Sequence, residues 1–520
     1  MEFTNPVISG FYPDPSVCYA DGYFYLVCSS FEYFPGLPLF RSKNLTDWEQ
    51  IGHVLTRKSQ LDLTGAVSSE GLFAPTIRYR EGRFYVVVTN KTGAGAGSDG
   101  NFYVYTDDIE GEWSEPVRVN REGIDPSLLF DDDGKVYFMS NGEDDFGESG
   151  ISVCEIDIAT GKLLTKARCI SKGTGGRFIE APHLYHIGEY YYLLVAEGGT
   201  EYGHMECILR SKEIMGPYES CPDNPILTNR NLGGHIIQAA GHADLVEDET
   251  GQWWMVHLAF RQIHQWRTFH HLGRETYLVP VFWTEDGWLK AGADGTSRSH
   301  FMVENGKCSI LPDAEYPSYH WKLVKEEACF LRCPNYENYK FIDETHFAIK
   351  GVTDSIGTLG NISFVGMRQK EFDGVMELAV DTKTMSVGQQ AGITAYLSEA
   401  NHYDIFVEKT EENCIVSCVL YMSHMPVYMD KVTVLPEAVG AGQDTGVDMA
   451  DGNVYLKIQS DSMFYKFFTR KEDGTEVNLG NADSKYLSSE VAEGFTGVVL
   501  AAYAGTDANG ESDFVQFVLL

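Results

Sequence analysis

Three acidic residues of this chain stand in short proline-containing steps: Tyr12-Pro13-Asp14-Pro15, Ile124-Asp125-Pro126-Ser127 and Ile179-Glu180-Ala181-Pro182. Proline fixes φ and removes a backbone donor, so each carboxylate is expected at a rigid lead-in to a strand. A rigidly held carboxylate such as Asp14 suits a base. Ile179 beside Glu180 points to shielding from water, which raises a carboxyl pKa and keeps the group protonated as a general acid. A protonated and an ionised carboxyl together are what cleavage of a glycosidic bond requires. One protonates the departing oxygen while the other activates water on the opposite face of the ring.

Such chemistry needs residues more than 160 positions apart to meet, and the chain carries a pattern that can bring them together. Five similar openings recur roughly every 50–60 residues, a period of radial arrays. They are Pro13-Asp14-Pro15-Ser16, Ala74-Pro75-Thr76, Asp125-Pro126-Ser127, Glu180-Ala181-Pro182-His183 and Gly241-His242-Ala243-Asp244. Each leads into an apolar run, a polar turn and an aromatic run such as Tyr23-Phe24-Tyr25-Leu26-Val27 or Tyr190-Tyr191-Tyr192-Leu193-Leu194-Val195. The turns, among them Ala20-Asp21-Gly22 and Glu81-Gly82-Arg83, suit hairpins because Gly accepts positive φ. Long amphipathic helical patterns are missing. Residues 1–300 therefore read as an all-β, five-bladed propeller whose equivalent positions face one central channel. Three acids gathered there would repel one another and lose solvation, a cost that a structural role does not explain.

Composition shifts after the fifth unit. Gly292-Ala293-Asp294-Gly295-Thr296 and Leu311-Pro312-Asp313-Ala314 read as turn and linker sequence, giving a linker over 301–320. Alternating runs such as Tyr403-Asp404-Ile405-Phe406-Val407 continue the β signal without the repeat, and 321–520 reads as a β-sandwich. The net charge of −35 argues against nucleic acid and anionic membrane surfaces as partners and favours a neutral substrate. Eleven cysteines, without a metal-finger pattern, and an N-terminus lacking a basic-then-apolar segment point to reduced thiols and a cytoplasmic location. No run approaches 18 apolar residues, the length of a spanning helix.

Several of these stretches together resemble glycoside hydrolase family 43, in its two-domain β-xylosidase/α-L-arabinofuranosidase branch. They are Asn5-Pro6-Val7 through Ser16, Ser29-Ser30-Phe31-Glu32-Tyr33-Phe34-Pro35-Gly36, Gly123-Ile124-Asp125-Pro126-Ser127, Glu197-Gly198-Gly199-Thr200-Glu201-Tyr202-Gly203-His204, Gly241-His242-Ala243-Asp244-Leu245 and Gly273-Arg274-Glu275-Thr276. The resemblance implies an inverting exo-enzyme that releases terminal xylose or arabinofuranose from xylo-oligosaccharides or arabinoxylan fragments. By position it implies Asp14 as general base, Glu180 as general acid, and Asp125 as the carboxylate that orients Glu180 and tunes its pKa. Arg274 would bond sugar hydroxyls or the catalytic carboxylates, and Phe31 would wall the terminal-sugar pocket. Phe73 stands where many relatives have Trp, and is expected to stack on sugar with less area. Ala181 stands where many have Gly, and is expected to crowd the backbone near Glu180.

His242 is expected to point into the channel. The resemblance allows a calcium beside it, as in some members, with no cofactor strictly required; the other reading is a His hydrogen-bonded to the acids. Gly93-Ala94-Gly95-Ala96-Gly97 lacks the Gly-Lys-Ser/Thr ending of a phosphate loop, and Asp131-Asp132-Asp133-Gly134 reads as a hairpin turn rather than a calcium loop. The sandwich resembles the lectin-like domain that in relatives closes one side of the pocket, here through a loop such as residues 506–512. A homo-oligomer is compatible with all of this. Two rivals stand beside it. A retaining, fructosidase-like propeller enzyme would want Asn-Asp-Pro and Arg-Asp-Pro steps that this chain lacks, and a non-catalytic carbohydrate-binding protein would use the sandwich as its binding module.

Overall fold

The computed structural model describes the chain apart from residues 94–99, 436–445, 449–451, 472 and 508–511. The Gly-rich stretch after Gly93 and the centre of the 506–512 loop lie outside the described residues. Strands account for nearly all regular structure. Five antiparallel sheets of four or five strands follow one another along the chain, within residues 16–55, 71–118, 124–171, 180–220 and 237–291. Their inner strands are Ser16–Ala20, Thr76–Arg80, Ile124–Phe130, Glu180–Ile187 and Ile237–Glu247. Each inner strand contacts the next, and the fifth contacts the first, closing the propeller. The hairpin turns form as their residues dictate: Asp21-Gly22 and Glu81-Gly82 both take φ values of 51° and 83°.

Where the blades meet the axis, the repeated openings produce bulges. Ladder pairing skips from Ile124 to Ser127, from Glu180 to His183 and from Gly241 to Asp244. The skipped residues include Pro126 and Pro182, which have no N–H to give a partner strand. Asp125, Ala181 and His242 sit at these bulges with φ of 53°, 51° and 52°, and Asp14 takes 55° before the first inner strand. A bulge bends its strand and re-aims a side chain, which turns these residues toward the channel mouth. The register shows that Glu180 aligns with Ile124 and Gly241, one residue ahead of the position held by Asp14 and Asp125. The true equivalent of those two aspartates in the fourth blade is Ala181.

Two residues further along each opening, the side chains plug the axis. Ser16 Oγ donates to Asp244 Oδ2 at 2.5 Å, and Arg78 Nη1 reaches the same oxygen at 2.7 Å. Arg78 Nη2 and Ser127 Oγ both lie 2.9 Å from His183 Nδ1, and Thr76 Oγ1 donates to Pro126 O. All five blades thus contribute to one hydrogen-bonded floor beneath the carboxylates.

The stretch expected as a linker, 301–320, is only partly one. His300–Glu304 and Lys307–Ile310 form a hairpin that pairs with Glu2–Thr4. The Asn305-Gly306 step, with φ of 51° and 71°, supplies the two left-handed residues such a turn requires. Tyr319–His320 already pairs with Gly374 and Val375 of the second domain. That domain is a sandwich of an eight-stranded and a seven-stranded sheet over one apolar core. It is bound closely to the propeller. Phe330–Leu331 pairs with Tyr33–Phe34, and a shared cluster buries Phe11, Phe31 and Tyr33 against Leu331, Phe364, Tyr396 and Val499.

Candidate active site

A cavity of about 430 Å³ opens at the channel mouth and is lined by Asp14, Asp125 and Glu180 together, with Phe31, Phe73, His242 and Arg274. All seven side chains singled out from the sequence therefore meet in one place. Phe31 lies 5.5 Å from Phe73 and 6.1 Å from Phe495, centroid to centroid, which makes one wall aromatic. Arg177, Phe178, Glu201 and Tyr202 also line the cavity.

Asp14 is 4% exposed and has three neighbours that favour its charge. Arg274 Nη1 donates to Oδ1 at 2.8 Å, Ser29 Oγ donates to Oδ2 at 2.5 Å, and His242 Nδ1 lies 3.6 Å from Oδ1. Burial alone would raise this carboxyl, but the Arg274 guanidinium, then His242 and Ser29, overcome it and hold Asp14 below the ordinary carboxylate range. Glu180 has the opposite fate. Burial, and then the charge of Asp14, push it up to about 7, with Arg274 opposing. Asp125 also rises to about 7, first through burial and then through Glu180 and Asp14, against His242 and the Ala181 N–H. Its Oδ2 accepts that N–H at 3.0 Å, tying it to the residue after Glu180. One carboxyl kept ionised and one kept protonated on the same cavity can act as base and acid across a glycosidic bond. Arg274 is at once the ion-pair partner of an acid and a cavity-lining group. It also bonds Thr200 Oγ1 at 3.0 Å.

His242 is a poor centre for a cation cage. Among the described residues the only three potential ligand atoms of His, Cys, Asp or Glu within 4.8 Å of one another belong to Asp131, Asp132 and His186. That group lies at the Asp131–Gly134 turn, which is a hairpin as expected. The carboxylate oxygen nearest His242 already receives the Arg274 guanidinium, which would repel a second cation. A calcium there would rely on water for most of its ligands.

Sequence reading missed the sandwich's contribution. The segment 489–495 supplies Ser489, Glu490, Gly494 and Phe495 to the cavity, whereas the 506–512 loop was expected to. The described ends of that loop bond Gly388 and Gly351 within the sandwich instead. Glu490 reaches the propeller: His270 Nδ1 lies 2.6 Å from its Oε1, and Tyr202 donates to the same oxygen at 2.9 Å. His270 is thus part of the wall. The signal was faint: one phenylalanine in Gly494-Phe495-Thr496-Gly497, where glycines permit close approach. A Cβ on Gly497 would stand 2.3 Å from Leu272 O. Ser29 and Thr200 lay inside stretches already singled out but carried no individual mark.

A five-bladed propeller that gathers a charge-paired carboxylate and a raised carboxyl on one pocket has the parts of a glycoside hydrolase. Comparison with known proteins agrees in both domains. Residues 3–289 match the model of glycosyl hydrolases family 43, and residues 326–519 match the beta xylosidase C-terminal Concanavalin A-like domain. A non-reducing end alpha-L-arabinofuranosidase of Bacteroides ovatus is 38% identical, over 99% of this chain and 93% of that protein. A beta-xylosidase of Bacillus subtilis is 33% identical, over 96% and 95%. The solved structure of a xylan beta-1,4-xylosidase from Bacillus halodurans is 30% identical, covers 99% of this chain and 100% of that one, and superposes with a TM-score of 0.84. The chain belongs to glycosyl hydrolases family 43.

Proposed function

We propose that the protein is an inverting exo-glycosidase that removes a terminal pentose, β-D-xylose or α-L-arabinofuranose, from xylo-oligosaccharides or arabinose-substituted fragments. The observation that carries it is the meeting of Asp14, paired with Arg274, and the largely buried Glu180 on one small cavity walled by Phe31, Phe73 and Phe495. Asp14, ionised beside Arg274, takes a proton from the attacking water. Glu180 delivers its proton to the departing oxygen. Asp125, bonded to the Ala181 N–H, holds the backbone that carries Glu180. Both sugars present similar hydroxyls to such a pocket. The relatives accordingly include proteins named for xylose, for arabinofuranose, and a xylosidase/arabinosidase of Butyrivibrio fibrisolvens, 34% identical over 99% of this chain and 98% of that protein. Eleven free thiols support a reducing, cytoplasmic setting.

The test is hydrolysis of 4-nitrophenyl β-D-xylopyranoside and 4-nitrophenyl α-L-arabinofuranoside, with and without a chelator, with proton NMR of the first-formed anomer. Release of the inverted sugar is expected. Retention would favour the fructosidase-like chemistry, and binding without hydrolysis would favour a carbohydrate-binding protein.

A further inference from the structure

Phe178 is an anomaly that the pentose pocket does not use. The residue is 60% exposed, although its neighbour Ile179 packs inward against the core between the third and fourth blades. Its φ of 49° is one that bulky residues rarely adopt. Backbone strain of this kind persists where the surroundings enforce it and clusters at functional sites. The surroundings here are specific. The Arg177 guanidinium lies over the ring, 4.8 Å from its centroid, and Arg177 is itself held by Glu201 at 2.5 Å. Gly199 packs close to both: a Cβ there would stand 3.3 Å from Phe178 Cδ2 and 3.4 Å from Arg177 Nη2. Gly198 N donates to Arg177 O at 2.7 Å, which fixes the loop against the fourth blade. Phe178 lines the same cavity as Glu180 and stands two residues before it.

Geometry then decides which part of the substrate reaches this ring. The acid protonates the oxygen of the leaving group, so the leaving sugar emerges on the Glu180 side. Phe31, Phe73 and Phe495 line the cavity as rings in contact with one another. We infer that Phe178, braced by Arg177, is the platform on which the leaving sugar of the substrate stacks, and that it sets the preference for a neutral, ring-shaped leaving group. Arg177 and Glu201 beside the ring offer a donor and an acceptor to that sugar's hydroxyls. The inference rests on the reading of Glu180 as the acid of a pentosidase.

The experiment compares leaving groups. For each pentose, kcat/KM is measured on the glycosyl fluoride, whose leaving group is one atom, and on a disaccharide: β-D-xylosyl fluoride with xylobiose, and α-L-arabinofuranosyl fluoride with arabinofuranosyl-xylose. On the pair that the wild type hydrolyses, Phe178→Ala is expected to lower the disaccharide-to-fluoride ratio about tenfold, the equivalent of about 1.4 kcal/mol of lost stacking. Phe178→Trp restores it. Equal losses on both substrates, or no loss on either, overturn the platform while leaving the pentosidase reading intact. A wild type inert on all four compounds overturns both.

Discussion

Replacing Arg274 by Met would remove a charge from the cavity while keeping most of the side-chain volume, and its consequences can be worked from the contacts. The guanidinium is the strongest influence holding Asp14 ionised against its own burial. With Nη1 and Oδ1 2.8 Å apart, the two charge centres lie about 4 Å apart, where an effective dielectric of about 20 gives an attraction of about 4 kcal/mol. Without it, burial prevails and Asp14 is protonated far into the range where the wild type has it ionised. Glu180 loses the same opposing charge and moves above its value of about 7. Both limbs of the pH profile of kcat/KM should therefore shift to higher pH. About 4 kcal/mol is about a thousandfold in acidity, starting from a carboxyl held below its ordinary range, so at about pH 6 the variant should lose up to about tenfold, with a larger loss at about pH 5 and a deficit that shrinks as pH rises. The assay is kcat/KM on whichever 4-nitrophenyl pentoside the wild type hydrolyses, from about pH 5 to about pH 9, with circular dichroism to confirm folding. A variant uniformly slower at every pH, with its acid limb unmoved, would refute the reasoning. Arg274 would then be binding sugar rather than setting the charge of Asp14.

For Glu180→Gln, turnover of a disaccharide should fall by about 10²–10⁴-fold, whereas a 4-nitrophenyl glycoside, whose leaving group needs little protonation, should lose far less; equal losses would remove Glu180 from the acid role. The raised carboxyls also couple stability to pH. A carboxyl whose folded pKa lies above its unfolded one stabilises the fold below the unfolded value and loses that contribution as pH climbs through the folded one. For Asp125 and Glu180 this window runs from the ordinary carboxylate range to about 7. Between about pH 5 and pH 8 the Glu180→Gln variant should therefore lose less Tm than the wild type, gaining about 2 kcal/mol relative to it at the alkaline end; parallel Tm curves would contradict this. Ala181→Gly should be neutral to stabilising by about 0.5–1 kcal/mol in urea unfolding, because φ of 51° strains alanine and not glycine. A clear destabilisation would show that the Ala181 methyl is a packing group.

The propeller was legible because its hairpins are local. Asp-Gly and Glu-Gly turns between β-branched and aromatic runs state both the strands and their pairing, and the repeat states the symmetry. The carboxylates were legible because proline marks the bulges that aim them. What escaped was non-local. Whether Glu180 or Ala181 is the positional equivalent of Asp125 depends on ladder register, which the alignment of Pro126 with Pro182 hints at but does not enforce. Asn305-Gly306 was an overlooked local signal, since its hairpin sits in a stretch whose composition looked like linker. Phe495 had only the faint signal of its flanking glycines, because its place at the pocket is set by Gly497 packing on Leu272 and by Ser69 Oγ accepting its backbone N–H, over 200 residues away in sequence. Phe178 was invisible for a related reason: an exposed phenylalanine is unremarkable until its φ and its neighbours are known.

The seam between the two domains constrains how such enzymes can be rebuilt. Arg332 reaches from the sandwich to Ala66 O and its own N–H bonds Glu32 O, while Arg261 of the fifth blade is wholly enclosed between Glu275 and Glu371 across the boundary. Cutting the gene there would leave a guanidinium half-paired and strip Phe495 from the pocket in a single stroke. Recombining this propeller with a foreign C-terminal cassette should therefore yield inactive, poorly folding chimaeras unless both faces of the seam travel together. The two domains are units of sequence inheritance, but only jointly a unit of chemistry.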